Sequence, residues 1–166
     1  LRASKIAGTD QGKLAVTIGD QTFELDPNLI ASLRNATGQA QCLVDLRPES
    51  IDVSGYFSAT GQAPRFDDSK ARSIETRSRT LIAYDIAGFR TFQSRFEAPS
   101  GLDYANVTAR IWIDGKIAFE RAGVTSGFAS ELIAIDLNDA KELILETDFG
   151  ENFDVQDRLN WLDPVL

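Results

Sequence analysis

Arg77 and Arg79 stand two residues apart, and Asp157, Arg158, Asn160 and Trp161 cluster near the end of the chain. These are residue types that hold polar ligands. A guanidinium makes planar, paired hydrogen bonds to carboxylates, sulfates and hydroxyl-rich groups. An indole offers an apolar face for one side of a pyranose, while Asn and Arg hold its hydroxyls. A second reading stays open for each. Trp161 plugs the bottom of a core, and Arg77 and Arg79 form structural salt bridges to Asp85 or Glu97. Asp148, Glu151, Asp154 and Asp157 make the one dense acidic run. Loop carboxylates suit Ca2+, so Asp148 and Asp154 are candidate ligands of a structural Ca2+. The alternative is a solvated acidic loop. No other cofactor is required.

Absences narrow the chemistry further. The 166 residues contain no histidine and one cysteine. Ser-His-Asp and Cys-His catalysis are therefore excluded, as are imidazole-bound and thiolate zinc sites. Two carboxylates about 5–10 Å apart could still hydrolyse a glycoside, but nothing singles out such a pair. The expectation is a protein that is not an enzyme. Its net charge is −8, and residues 41–166 carry all of it, with 13 basic and 21 acidic side chains. Such a surface repels phosphate backbones, so no nucleic acid is expected as a partner. No apolar run approaches the roughly 18 residues that span a bilayer, so no membrane insertion is expected. Cys42, among Leu43, Val44 and Leu46, reads as a buried thiol with no disulfide partner. Leu1-Arg2-Ala3-Ser4-Lys5 has neither Met nor an apolar signal core. The chain is accordingly expected to be a piece of a longer precursor, with that protein's other domains among its partners. Asn106-Val107-Thr108 fits a glycosylation sequon, but it lies at a strand start, where a chance match is the better expectation.

The elements that position these residues are mainly strands. Leu14, Val16 and Ile18, then Phe23 and Leu25, alternate with polar or small residues on either side of Gly19-Asp20, which predicts a β-hairpin. Asp26-Pro27 starts a short helical turn, and residues 35–41 form a small, polar linker. Residues 1–40 thus read as a hairpin, short helix and linker, a possible remnant of a small barrel. Residues 41–166 read as the main domain. There, strands are expected over residues 81–86, 89–96, 107–113, 132–137 and 143–147, with Asp114-Gly115 as a hairpin turn. Short strands with turns between them and no long amphipathic helix predict an all-β sandwich.

Several motifs occur in a fixed order over residues 42–166. They are Leu43-Val44-Asp45-Leu46, then Arg77-Ser78-Arg79-Thr80 followed by Tyr84-Asp85-Ile86, and then Phe89, Phe92 and Phe96. A strand ending at Asp114-Gly115, a strand after Asp136-Leu137, and the segment from Asp157 to Asp163 complete the set. In this order they resemble the NPCBM family of carbohydrate-binding modules, often found beside glycoside hydrolases. The resemblance implies a galactose-binding-domain-like jelly-roll β-sandwich. It implies a non-catalytic module of a larger secreted or cell-envelope protein, extracellular or periplasmic. The implied partner is carbohydrate, a galactose-type or anionic glycan. Arg158 and Asn160 stand where the family pattern has histidine and aspartate. The competing expectation is therefore a protein–protein or structural module that has lost the sugar site. The resemblance places the ligand at a loop end built from residues 72–79 and 154–161. There Arg72, Arg77 and Arg79 would face Asp154 and Asp157, with Asn160 and Trp161 between.

Overall fold

The computed structural model describes residues 5–9, 12–18, 21–29, 40–55, 63–68 and 72–166. The chain divides into two compact units, Leu1–Ala40 and Gln41–Leu166. In the first, β1 (Lys5–Gly8), β2 (Leu14–Ile18) and β3 (Gln21–Leu25) form an antiparallel sheet in that order. The predicted hairpin is β2–β3, paired from Leu14↔Leu25 to Ile18↔Gln21. Sequence patterning had missed β1. The expected helical turn is a single 3₁₀ turn over Pro27–Leu29, entered through the Asp26 carboxylate, which accepts the Asn28 N–H at 2.9 Å. The Gly19-Asp20 turn and most of the expected linker lie outside the described residues.

The second unit is a sandwich of two five-stranded antiparallel sheets. The first sheet runs β10 (Lys116–Thr125), β9 (Asn106–Ile113), β12 (Glu142–Phe149), β7 (Thr80–Asp85), β4 (Ser50–Val53). The second runs β11 (Ile133–Asp136), β8 (Thr91–Glu97), β13 (Leu159–Val165), β6 (Ser73–Thr76), β5 (Arg65–Asp67). Alternation along each strand fills the space between the sheets. Ile82, Tyr84, Val107, Ala109, Ile111, Leu143 and Leu145 come from the first sheet; Ile74, Phe92, Phe96, Leu159 and Trp161 come from the second. Asp114 and Gly115 turn the β9–β10 hairpin with φ of 47° and 73°. Positive φ at both central residues is what a tight hairpin turn needs, and Asp-Gly supplies it. β13 continues through Pro164, which cannot donate to the ladder; its pairing with β8 accordingly shifts between Leu162 and Val165. Cys42 is buried, and burial pushes its thiol pKa up.

The sandwich is apolar at its centre and polar at one end. There Thr76 of β6 and Thr147 of β12 bridge the two sheets through their hydroxyls at 2.7 Å. Thr76 gives its own proton to the Leu159 carbonyl, so Thr147 is the donor between them. This polar end is where the 77–79 connection crosses from one sheet to the other.

Candidate functional site

Most of the side chains singled out from sequence fall in three places. Trp161 and Asp157 are interior. Trp161 is 0% exposed and meets Phe96 edge to face, with ring centroids 5.5 Å apart. Its core reading holds, and its indole offers no face to a ligand. The reason is alternation: Trp161 shares a side of β13 with buried Leu159, and that side faces the opposing sheet.

Asp157 is 2% exposed. It accepts the Ser78 hydroxyl at 2.6 Å and the Asn106 N–H at 3.0 Å. It thus ties the 77–79 connection and the start of β9 to the 151–158 segment. Gly150 closes the same junction, since a side chain there would collide with the Asn106 backbone. Burial raises the Asp157 carboxyl to about 6, against the two hydrogen bonds that favour its charged form; Asp154, half-buried nearby, raises it further. A carboxyl raised from 3.8 to about 6 binds its proton more tightly in the folded chain. Its contribution to stability is complete below pH 3.8 and is lost as pH rises through 6. That difference is worth about 3 kcal/mol. Asp157→Asn carries no titrating proton. The stability of the natural chain relative to this variant should fall by about 2 kcal/mol between pH 4 and 6.5 in urea unfolding. A constant difference across that range would contradict the assignment.

Arg79 and Asp148 lie on the outer face of the first sheet. Arg110 of β9 donates from Nε to Glu120 at 2.5 Å and from Nη1 to Asp148 at 2.7 Å. Glu146, its side chain 3% exposed, accepts from Trp112 Nε1 at 2.7 Å and from Arg110 Nη1 at 3.4 Å. Arg79 Nε stands 3.6 Å from Glu146 and 3.9 Å from Asp148. Burial works against the charge on Arg110, but Glu120, Asp148 and Glu146 outweigh it and hold its proton above the ordinary guanidinium range. Asp148 is thus neutralised by arginine, and Asp154 belongs to the 151–156 turn. Among the described residues, no three His, Cys, Asp or Glu side chains gather as a metal ion would require.

Arg77, Arg158 and Asn160 come together on the outer face of the second sheet. Two residues apart in sequence, Arg77 and Arg79 do not share a face. Both lie in the connection between β6 and β7, which changes sheets, so they end on different outer faces. Arg72 leaves the expected cluster altogether. It precedes β6, about 16 Å of extended chain from Arg77, and pairs with Asp45. Asn160 lies between Glu75 of β6 and Glu97 of β8, and Arg65 of β5 lies beyond Glu75. The Asn160 amide donates to Glu97 at 3.3 Å. Leu159 pairs with Thr76, so the same register sets Arg158 opposite Arg77 just beyond the ladder. Burial lowers the Arg77 pKa, and the Arg158 and Arg65 charges add to that against the opposing pull of Glu75. Glu75 and Arg65 were missed as site residues. The alternation Ser73-Glu75-Arg77, facing Arg158-Asn160-Leu162, was the signal that could have found Glu75.

The family profile of the NPCBM/NEW2 domain matches residues 67–166. Among solved structures, the CBM51-2 and INT domains of Clostridium perfringens ZmpB, with CBM51-2 in complex with GlcNAc, superpose with a TM-score of 0.62 at 17% identity. That match covers 99% of this chain and 39% of the other, so the chain spans about two fifths of that structure. The CBM51 of Clostridium perfringens GH95, in complex with methyl-galactose, matches at TM-score 0.58 and 15% identity, covering 76% of this chain and 99% of that one. The tandem CBM51 modules of Sp3GH98, the family 98 glycoside hydrolase of Streptococcus pneumoniae SP3-BS71, match at 0.61 and 22%, covering 76% and 46%. No curated protein matches the chain. At these identities the solved structures establish a shared β-sandwich fold. The profile covers more than half of the residues, and by it the chain belongs to the NPCBM/NEW2 domain family.

Proposed function

We propose that the chain is a non-catalytic carbohydrate-binding module whose ligand lies on the outer face of the second sheet, over β8, β13 and β6. One observation carries this reading. Asn160, Glu75 and Glu97 project from neighbouring strands onto one face, with Arg77 and Arg158 just beyond the ladder, giving planar donors and acceptors in a fixed order. The Glu97 contact orients the Asn160 amide and leaves its carbonyl oxygen to accept from a sugar hydroxyl. Carboxylates accept from hydroxyls, and the guanidiniums donate to them. The sheet fixes the spacing of these groups before the ligand arrives, which lowers the entropic cost of binding. The similar modules of known structure include complexes with GlcNAc and with methyl-galactose, which makes these two sugars the first probes.

Asn160→Ala should weaken the binding of methyl-galactose or GlcNAc about tenfold by calorimetry, while the melting temperature moves little. Binding undisturbed by this change would remove the site from this face. No binding at millimolar sugar by the folded chain would favour a module for protein contacts instead.

We also read the chain as one module of a larger secreted or cell-envelope protein, since the tandem modules it resembles belong to a glycoside hydrolase. Detection of the native polypeptide as a short cytoplasmic product would contradict this.

A further inference from the structure

We propose that the preferred ligand is an acidic sugar, one whose carboxylate or sulfate is held between Arg77 and Arg158; this rests on the sugar-binding reading above. The molecule as a whole argues against anion binding, with a net charge of −8. This face departs from that balance. Among the described residues, Arg65, Arg77 and Arg158 lie with Glu75 and Glu97 at one end of it, with Asp67 and Arg95 two residues further along, so that end is locally positive.

The contrast with other arginines in the domain is the stronger observation. Arg72 pairs with Asp45, Arg79 lies beside Glu146 and Asp148, and Arg110 contacts three carboxylates. Among the described residues, Arg77 and Arg158 make neither an ion pair nor a hydrogen bond. They nonetheless stand opposite each other by register, and both are half-buried. Two like charges brought together and partly stripped of water repel, and Arg77 feels both effects. An anion between them would relieve both, and two guanidinium planes can grip its oxygens in pairs. Asn160 and Glu75 lie two residues further along the same face, within reach of the hydroxyls of the ring that carries the anion. A neutral sugar would satisfy the hydroxyl-binding groups and leave the two cations unpaired.

The test is calorimetry on the whole chain with matched sugars: methyl-galactose and GlcNAc, galactose 6-sulfate, methyl glucuronide, and a poly-glutamate peptide. The acidic sugars should bind about tenfold more tightly than the neutral ones, and less so at high salt. Sulfate and carboxylate arms then tell which anion fits better. Arg77→Gln and Arg158→Gln should each erase the preference, with thermal melts confirming that the variants fold. Arg90→Gln removes the same charge at an exposed position before the far end of β8 and should leave the preference intact. Neutral sugars binding as well as acidic ones would overturn the proposal and spare the sugar-binding reading. Absence of binding to any sugar would overturn both. Binding of poly-glutamate in place of sugars, lost in Arg158→Gln, would overturn both in favour of an acidic-peptide module.

Discussion

Arg110→Met should cost about 3–5 kcal/mol of stability, far more than a surface substitution. Arg110 joins three carboxylates, and Glu146 is the one that matters most because its side chain is 3% exposed. Methionine keeps most of the aliphatic stem and removes the cation. Glu146 would then sit buried with the Trp112 N–H and with Arg79 at 3.6 Å, the latter partly exposed and partly screened. An uncompensated buried carboxylate is among the more costly defects a fold can carry. The companion change is Glu146→Gln, which removes that charge and keeps the shape. In the double variant much of the loss should return, giving a coupling of about 2 kcal/mol in a double-mutant cycle. Chemical denaturation of the four proteins measures it. Additive losses would show that the three carboxylates do not depend on Arg110 in this way.

Trp161→Ala should lower the melting temperature by about 10–20 °C, following a loss of about 3–5 kcal/mol. The indole is buried completely and packs edge to face on Phe96, which in turn meets Phe119 and Phe128 at 5.9 and 5.8 Å. Deleting it opens a cavity in the centre of the second sheet's inner face. Trp161→Phe should cost much less. It keeps a ring in place and deletes an indole N–H that has no hydrogen-bond partner among the described residues. The pair of variants separates two roles that sequence left open. A ligand platform would lose affinity on Trp161→Ala and keep its melting temperature. A core residue does the reverse at temperatures where the variant stays folded. A melting temperature within 2–3 °C of the natural chain would contradict the core assignment.

How far the site could be read from the residues depended on which neighbour each one has. The strands from β7 to β12 follow from alternation and from Asp114-Gly115, because those signals are local. β4 and β5 have four and three residues, too few for a period of two to stand out, and Pro164 obscures the end of β13. The partners of Arg79 were not legible. Glu146 and Asp148 lie on β12, nearly 70 residues further on, and only the β12–β7 pairing brings them together. Arg72 was misplaced for a related reason. Its nearness to Arg77 in sequence becomes a strand's length of separation once β6 is extended. Trp161 could have been decided earlier. Leu159 and Trp161 alternate with Arg158, Asn160 and Leu162, so a strand there must bury one set and present the other. The same rule picks out the face that now carries the proposed site.

The central claim is that sugar meets the outer face of the second sheet. Backbone chemical-shift mapping during titration with methyl-galactose or GlcNAc tests it most directly. The predicted result is a set of perturbed amides at Glu75, Arg77, Glu97, Arg158 and Asn160, with the Arg110–Glu146 face of the first sheet unmoved. Saturable shifts confined to other residues, such as the 151–156 turn or the outer face of β9 and β12, would contradict it.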